Sequence, residues 1–576
     1  MRQFILILMV LSVSFPVLAL DIAVKVNGLD SELEDNVLIY LSVEQEKSRK
    51  TLNEARLRLL HGRAEKEIGE ALRPFGYFNP ILTSSLEKTD WGFIATYNVQ
   101  PGDPVKIVDV DFQVTGEGRE DARIVAGFPL KIGSVLNQDE YEKAKQSLLS
   151  ETIERGYLDA KYTHHQILVD PEANTATIGL HLATGMKLKF GEVRFHQKIM
   201  DPEFLARYVP FNSGDPFSQD ALLNLQGQLS DSEYFKRVEV VSRREEISGD
   251  QVPIDINLEP NKRNRYRIGL GYSTDTGPRL KLDWKNRRIG RRGHRMRTEF
   301  LISEPFSSLS SEYVIPLERP TVDYIRFGAS LEHSNSDTNQ GDRALINATH
   351  SISLDRGWRR SLGLEYSYED FEIADQQGNA RLLVPSIDWL RIKRDSKSWI
   401  YRGKRLNFRV EGASDVLLSS TSYLQLFASG KFIHGLGRGD WRLLSRVELG
   451  ATWSDNLEDL PPNKRFFAGG DNSVRGFGYE DLGPENESGD VVGGRYLAVG
   501  GLELDRRISG KWSGAVFVDF GNAFDSDPDY DSETAYGAGF GIRWQSPVGP
   551  IRFDVASGRV EDERHWRLHV VVGPEL

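Results

Sequence analysis

The chain is organised around Gly469-Gly470-Asp471-Asn472-Ser473-Val474-Arg475-Gly476-Phe477, which lies in the longest turn-rich gap of the C-terminal half. Segments of alternating apolar and polar residues flank this gap, and two of them carry Glu503 and Asp519. The pattern predicts a membrane β-barrel in which the gap, residues 454–494, is a long loop that folds back into the lumen. Arg475 would meet the two acidic side chains there.

The two acidic residues lie on neighbouring predicted strands. Leu497 to Asp505 and Ala515 to Gly521 are expected to form a hairpin that is folded near Lys511. In this hairpin Glu503 and Asp519 are equidistant from the fold, so they should lie roughly opposite each other on one face. Like charges placed in this way repel each other. Inside a barrel, one of them should take up a proton unless a cation lies between them.

An arginine suits this position, because its planar fork binds carboxylates bidentately and stays charged. Gly476 would allow the backbone beside Arg475 to turn tightly. The predicted locking residues are Val474, Arg475, Gly476 and Phe477. The alternative interpretation is that Arg475 is a solvated loop residue and that the acids line a wet pore.

From Arg265 onward, apolar and polar residues alternate with the period of two that is typical of strands. Charged residues lie opposite an apolar face in strand after strand, which favours a membrane barrel over a soluble sandwich. Sixteen candidate strands lie between Arg265 and Pro574. The sequence therefore predicts a 16-stranded antiparallel transmembrane β-barrel over residues 264–576. The glycines of Gly537-Ala538-Gly539-Phe540-Gly541 are expected to form a thin, close-packed part of its wall.

The N-terminal half repeats one pattern about every eighty residues. Each unit has a strand, a helical stretch and two closing strands, with predicted boundaries at 20–103, 104–186 and 187–263. A related sequence follows each helical stretch: Phe75-Gly76-Tyr77-Phe78, Arg155-Gly156-Tyr157-Leu158 and Ser232-Glu233-Tyr234-Phe235. Such α+β units have open sheet edges that can capture an extended chain by adding a strand. The alternative is that they are rigid spacers.

Composition narrows the class of protein. Residues 1–19 have the features of a secretory signal peptide, with an apolar run from Phe4 to Val13 and small residues before the expected cleavage site. The absence of cysteine excludes disulfides and thiolate metal sites. The net charge of −12 argues against nucleic acid as the main partner. The mean hydropathy of −0.42 disfavours helical membrane spans but leaves a barrel possible.

Three motifs near the C-terminus occur in a fixed order: Val474-Arg475-Gly476-Phe477, Phe517-Val518-Asp519-Phe520-Gly521 and Gly549-Pro550-Ile551-Arg552-Phe553-Asp554. They resemble the C-terminal signatures of the BamA-type outer-membrane assembly superfamily. The N-terminal units resemble its POTRA (polypeptide-transport-associated) domains. The string Arg465 to Gly470 and the ending Gly573 to Leu576 resemble one member closely.

This resemblance implies that Arg475 inserts into the lumen and pairs with Asp519 and Glu503. It implies an outer-membrane barrel with its POTRA repeats in the periplasm. The implied partners are unfolded β-barrel or autotransporter clients, outer-membrane lipids, and an inner-membrane-anchored protein that spans the periplasm. Basic turns such as Lys285 to Arg292 could meet acidic lipid headgroups, although ordinary solvated turns are the simpler interpretation.

A barrel closes by pairing its first and last strands, predicted here at about Arg265 to Asp275 and about Trp566 to Val572. Glycine weakens a strand interior, and proline donates no ladder hydrogen bond. The seam between these strands should therefore be the weakest pairing in the wall, which makes it a candidate lateral gate. The predicted seam residues are Gly269, Gly271, Gly573 and Pro574.

The function that these features favour is an outer-membrane assembly factor that inserts autotransporter and other β-barrel clients through the seam. The alternative is a two-partner secretion transporter that passes its client through the lumen. Such transporters typically carry two POTRA units and an N-terminal plug helix. No enzymatic activity and no cofactor are expected, because a Gly-x-Ser-x-Gly motif and His-rich metal spacing are absent. Asp525 to Asp531 imitates a calcium loop but lacks its glycine and distal glutamate, so no metal site is predicted.

Overall fold

The computed structural model describes residues 21–49, 52–336, 338–396, 399–437, 440–525, 534–546, 549–561 and 563–572. The predicted signal peptide, the predicted seam residues Gly573 and Pro574, and most of the calcium-like segment lie outside these residues. The chain divides into two compact units. The first contains the residues up to Arg194 with Phe211–Leu223 and Val241–Asp255, and the second contains Phe195–Pro210, Asn224–Val240 and Ile256–Leu576.

The N-terminal half contains nine strands among its described residues. They are β1 (Asp21–Asn27), β2 (Ile81–Thr89), β3 (Gly92–Gln100), β4 (Lys106–Thr115), β5 (Lys161–Asp170), β6 (Thr175–Ala183), β7 (Lys189–His196), β8 (Phe235–Ser242) and β9 (Gln251–Pro260). They form three three-stranded sheets with the orders β1-β3-β2, β4-β6-β5 and β7-β9-β8. In the first two sheets the opening strand runs parallel to the central strand, and the remaining strand runs antiparallel to it.

The helices lie between the first and second strands of each repeat, as predicted. They are α1 (Ser31–Tyr40), α2 (Ser42–Glu46), α3 (Glu54–His61), α4 (Ala64–Leu72), α5 (Ala122–Val125), α6 (Gln138–Glu154), α7 (Pro202–Ala206) and α8 (Gln219–Asp231). In α6 the side chain of Asn137 caps the first turn by accepting the N–H groups of Asp139 and Glu140. Its buried residues Tyr141 and Leu148 recur on one helical face and contribute to the cores under the second sheet.

The related sequence after each helical stretch marks where the helix stops. Gly76 and Gly156 adopt left-handed backbone angles, with φ of +90° and +100°, which glycine adopts without strain. The third repeat has Glu233 near the corresponding turn, and it also has a positive φ of +63°. The tyrosines that follow in the second and third repeats, Tyr157 and Tyr234, are buried. The recurrent sequence therefore combines a helix stop with a core anchor.

The residues from Asn264 onward form a closed barrel of sixteen strands in sequence order, which confirms the predicted barrel. The first eight strands are β10 (Asn264–Ser273), β11 (Gly277–Ile289), β12 (His294–Ile302), β13 (Phe306–Pro316), β14 (Asp323–Asn335), β15 (Asn339–Ser353), β16 (Trp358–Ile373) and β17 (Gln376–Arg394). The other eight are β18 (Arg402–Ala413), β19 (Tyr423–Leu436), β20 (Trp441–Ser454), β21 (Tyr496–Ser509), β22 (Trp512–Phe524), β23 (Ala535–Ser546), β24 (Gly549–Val560) and β25 (Glu563–Val572). Neighbouring strands run antiparallel.

The strands present an apolar outer face and a polar inner face. In β22, for example, Val516, Val518 and Phe520 are each about half exposed, whereas Phe517 and Asp519 are buried inside. An outward apolar band of this kind is what a barrel needs to face lipid. Among the helices of the described residues, none combines the length and the apolar character that crossing a membrane requires.

The barrel closes between β10 and β25 through a short contact. Among the described residues these strands share one registered pair, Ser273 with Val571, whereas β10 and β11 are in register from Asn264 to Ser273. The Thr274 N–H donates to the Val570 carbonyl at 3.1 Å, and the Val570 N–H donates to the Thr274 hydroxyl at 3.0 Å. The Thr274 hydroxyl thus accepts a hydrogen bond that a backbone carbonyl accepts in a regular strand pair.

Candidate functional site

The residues between β20 and β21 form the lock loop, residues 455–495, which enters the barrel lumen. Its apolar residues pack against the inner wall: Val474 and Phe477 form one buried cluster with Leu497 and Val499 of β21. This packing removes apolar side chains from water and fixes the loop inside the barrel. The loop therefore places the Arg475 side chain among the inward-facing residues of the wall.

Arg475 is the centre of the site and is 4% exposed. Its Nε and Nη2 donate to the two carboxylate oxygens of Asp519 at 2.6 and 3.1 Å. Its Nη1 donates to Glu503 Oε2 at 2.7 Å. The structure thus brings the predicted arginine together with both predicted acids, and the bond to Asp519 is the bidentate fork that favours arginine over lysine.

A third acid and a second arginine complete the cluster. Arg475 Nη1 lies 3.3 Å from Asp554 Oδ2, and Asp554 also accepts from Arg543. Arg543 donates to Glu503 Oε1 at 2.9 Å as well. Asp554 and Arg543 are each 3% exposed, so Arg475 belongs to a buried network rather than to one ion pair. We call Arg475 with Asp519, Glu503 and Asp554 the lock.

The Arg475 guanidinium makes one further contact, and a third arginine joins the cluster through Asp519. The central carbon of the guanidinium lies 3.4 Å from the centroid of the Phe517 ring, a cation–π contact at a water-poor position. Arg446 on β20 contacts Asp519 Oδ1 at 2.8 Å, so three arginines meet three carboxylates. The balance of three positive and three negative charges offsets part of the desolvation cost of burying them, and Arg446 Nε is the one of their described buried atoms without a hydrogen-bond partner.

The structure corrects the predicted register of the hairpin between β21 and β22. The hairpin turns at Gly510, and a register shift just before the turn adds a residue to β21. Glu503 therefore pairs with Phe517, and Asp519 pairs with Gly501. The prediction that the two acids are equidistant from the fold of the hairpin is therefore wrong, whereas their predicted position on one face is correct. They are diagonal neighbours on the same face, which leaves room for the guanidinium between them.

The lock loop lies against bare backbone of the wall. A Cβ added at Gly537 on β23 would collide with the carbonyl oxygen of Arg475, and one added at Gly476 would lie 2.6 Å from the Gly558 Cα on β24. Gly476 also has a φ of +104°, which an L side chain rarely adopts. Gly537, in the predicted glycine-rich part of the wall, and Gly558 therefore form the seat of the loop, which is the surface where its backbone packs directly against the wall.

Gly537→Val should displace the lock loop, although the substitution replaces no charged residue. The added side chain needs the space of the Arg475 carbonyl, and such overpacking costs about 1–3 kcal/mol. We expect a lower unfolding temperature of the barrel on heated gels and faster proteolysis of the loop. Ala538→Val is the matched control, because Ala538 is the next residue of β23 and its side chain points outward. Equal stability of the two variants would contradict this seat for the loop.

The first part of the loop is anchored to another part of the barrel wall, at β18. Lys464 Nζ donates to Glu411 on β18 at 2.6 Å. Arg465 is 5% exposed and donates to the carbonyls of Leu460 and Val492 at 2.8 and 3.0 Å. A polar cavity of about 300 Å³ lies beside the lock, and Glu448 is among its lining residues. The loop therefore reaches two sides of the lumen rather than lying along one wall.

A second cluster lies beside the seam. Ligand atoms of Asp275, Asp471 and His569 lie within 4.8 Å of one another, a geometry that could hold a metal ion. Both ring nitrogens of His569 and both carboxylate oxygens of Asp471 already have hydrogen-bond partners in the protein. Asp275 Oδ2 accepts the Asp471 N–H, and Asp275 Oδ1 is buried with no hydrogen-bond partner among the described residues. The predicted seam residues Gly269 and Gly271 lie further along β10, where no register with β25 occurs among the described residues.

Sequence reasoning missed four residues of these clusters: Asp554, Arg543, Asp471 and His569. The position of Asp554 in the lumen could have been predicted, because it is the last residue of the motif Gly549 to Asp554 and alternates with outward apolar residues on β24. Arg543 has the same inward position on β23 and lies across from Arg552. Asp471 lies within the opening stretch, but its partners are distant in sequence and no spacing connects them.

Comparison with known protein families identifies the class of protein. The description "Omp85 superfamily domain" matches residues 289–575. The description "POTRA domain TamA domain 1" matches residues 23–101, and a POTRA description, "Surface antigen variable number repeat", matches residues 188–261. The chain belongs to the Omp85 superfamily, as an outer-membrane β-barrel with POTRA domains in the periplasm.

The more specific resemblance is to TamA, the outer-membrane subunit of the translocation and assembly module. The chain begins its repeats with a TamA-type POTRA domain. TamA is also the member that the string Arg465 to Gly470 resembles.

Two curated relatives are similar to parts of the chain. Outer membrane protein assembly factor BamA of Nitratidesulfovibrio vulgaris is 25% identical over 412 residues, which are 66% of this chain and 50% of that protein. The chloroplastic outer envelope protein 80 of Arabidopsis thaliana is 34% identical over 121 residues, which are 19% of this chain and 15% of that protein. The chain thus spans half the length of these relatives or less.

Solved structures give the same fold. The crystal structure of BamA from Haemophilus ducreyi lacking POTRA domains 1–3 matches 81% of this chain and 99% of that chain, with a TM-score of 0.68 and 18% identity. At this level of identity the similarity supports the architecture of POTRA domains followed by a sixteen-stranded barrel.

Proposed function

We propose that this chain is an outer-membrane assembly factor that inserts autotransporter and other β-barrel clients through the seam between β10 and β25. The observation that carries the proposal is that, within the described part of the chain, these strands share one registered pair. Unpaired strand edges accept another strand through backbone hydrogen bonds. The relatives named as outer membrane protein assembly factors support the same function.

The proposed exchange needs no nucleotide. A client strand would pair with the free edge of β10. Each backbone hydrogen bond that it forms would replace a contact that β10 makes with lipid or with β25. The outward side chains of this strand are apolar and highly exposed, including Tyr266, Ile268 and Leu270. Such a surface lets a client strand enter beside lipid while its backbone is satisfied by the barrel. The proposal includes no catalytic residue and no cofactor.

The alternative, a two-partner secretion transporter, would pass its client through the lumen. This route requires the lock loop to leave the barrel. That movement would break the bonds of Arg475 to Asp519 and Glu503 and would expose three carboxylates held by arginines. Insertion at the seam uses the edge of β10 as a template for the client strand, which passage through the lumen leaves unused, and this is why we favour insertion at the seam.

We propose a TamB-like protein, anchored in the inner membrane and spanning the periplasm, as the partner of the POTRA domains. The edge strands β4 and β7 are partly covered, by bridges of Lys106 to Val135 and of Lys189 to Pro216. The edge strand β5 carries Leu168, an apolar side chain that is 58% exposed. An extended partner segment could add to this edge and cover Leu168.

Photo-crosslinking at chosen positions separates these proposals. A crosslinker at Leu270 on β10 should capture a client during assembly, whereas one at Glu448 in the lumen should not. Capture at Glu448 alone would favour the secretion transporter. In the same experiment, a crosslinker at Leu168 should capture the periplasmic partner. Leu223 on α8 is similarly exposed but lies on no strand edge, so equal capture there would contradict strand addition.

A further inference from the structure

The carboxylate of Asp471 bonds to both sides of the seam. Ser273 Oγ donates to its Oδ2 at 2.5 Å, and Thr274 Oγ1 donates to its Oδ1 at 2.8 Å. These two donors stand at the end of β10. From the last strand, His569 Nδ1 lies 2.7 Å from the same Oδ1. One side chain of the lock loop thus holds the first and last strands together.

The hydrogen bonds of His569 indicate the tautomer of its ring. Its Nε2 accepts the backbone N–H of Gly476 at 2.9 Å, so this nitrogen carries a lone pair. The proton of the neutral ring therefore lies on Nδ1, which donates to Asp471. Asp471 and His569 are 2% and 1% exposed, and hydrogen bonds to a carboxylate are strong where water is excluded.

The backbone of the loop is held at the same point. The Asp471 N–H donates to Asp275 Oδ2 at 2.5 Å. Gly470 has a φ of +102°, and a Cβ added there would lie 2.7 Å from that oxygen. Glycine at this position lets the loop approach Asp275, the residue that follows β10 by two positions. The carboxylate of Asp471 is therefore positioned by its own backbone and does not merely reach the seam from a distance.

We propose that Asp471 is a clasp that keeps the seam closed and couples its opening to release of the lock loop. Among the described residues β10 and β25 share one registered pair, and the three hydrogen bonds received by Asp471 join the end of β10 to β25 beside that pair. Asp471 and Arg475 lie four residues apart in one loop. Movement of that loop would break the contacts of both Asp471 and Arg475, so release of the loop from the lock would also free the edge of β10. The inference deepens the proposed function, because it names the device that regulates the gate.

The test measures the seam directly in the purified full-length protein, without client. Spin labels at Leu270→Cys and Leu568→Cys report the separation of β10 and β25, and the chain has no other cysteine. Both positions face outward and are exposed. Asp471→Ala should raise the population with separated strands at least about tenfold, as expected for loss of a hydrogen bond to a charged group. Asp490→Ala, an exposed acid of the same loop, should leave the distances unchanged.

Two more variants keep the test decisive if Asp471→Ala folds poorly. Thr274→Val preserves the side-chain volume but removes the hydroxyl that bonds Asp471 and Val570, and it should also widen the distances. Arg475→Ala should open the seam as well, since the lock and the clasp share the loop. Distances like those of the unaltered protein in Thr274→Val and Asp471→Ala would overturn the clasp. A seam that opens in these variants but not in Arg475→Ala would overturn the coupling. Neither result depends on client assembly, which tests the proposed function separately.

Discussion

Arg475→Ala should lower the temperature at which the barrel unfolds and should reduce client assembly. The variant leaves three buried carboxylates facing two arginines, because Asp519, Glu503 and Asp554 all contact Arg475. Removing one partner of a buried ion pair typically costs about 3–5 kcal/mol, since the remaining charge is uncompensated. Heat-dependent migration of the folded barrel on gels measures the stability, and client insertion into proteoliposomes measures assembly.

Arg475→Lys separates charge from geometry. Lysine keeps a positive charge but cannot reproduce the two parallel bonds to Asp519, so it should have intermediate stability. Lys511→Ala serves as the control, because it removes an exposed cation at the tip of the hairpin between β21 and β22. If Arg475→Ala unfolds at the same temperature as Lys511→Ala and assembles clients equally well, the lock contributes neither stability nor function.

Much of the architecture could be predicted from the sequence. Alternation with a period of two marks strands that have one apolar face, and it gave sixteen strands because each strand of the barrel follows the same rule. The repeats were visible because each one needs a helix stop followed by an apolar residue, as at Gly156 and Tyr157. Arg475 and Asp519 were identified because buried acids require a cation, and because their motifs occur in a characteristic order.

Other parts of the site depend on register, which local sequence does not determine. One extra residue before Gly510 shifts Glu503 away from Asp519, and no spacing rule predicted it. Asp554 belongs to the lock, and Arg543 contacts it, because β23 and β24 follow β22 in the wall. The contact of Asp471 with His569 joins residues 98 positions apart, and only closure of the barrel brings them together.

The barrel combines a lock loop that is firmly held in the lumen with a seam at which few described residues are paired. Arg475 makes charged hydrogen bonds in the lumen, whereas β10 and β25 share one registered pair as far as the structure describes β25, up to Val572. Local opening starts where the fewest buried contacts must be broken. The wall should therefore open at the seam before any other pair of neighbouring strands separates.

Closing the seam covalently should stop client assembly. Ser273 and Val571 form the registered pair, and paired antiparallel residues lie within the distance that a disulfide spans. In Ser273→Cys/Val571→Cys the disulfide would prevent a client strand from displacing β25. The same protein in its reduced form is the first control, since it carries the same substitutions. Val555→Cys/Leu568→Cys is the second, because this pair joins β24 to β25 away from the seam.

The rate of client insertion by the oxidised seam variant is the most direct test of a lateral gate. We expect insertion to fall to the background of empty proteoliposomes when the seam is oxidised and to recover when it is reduced. The oxidised Val555→Cys/Leu568→Cys control should remain active. Insertion at the unaltered rate through a fully oxidised seam would contradict the account.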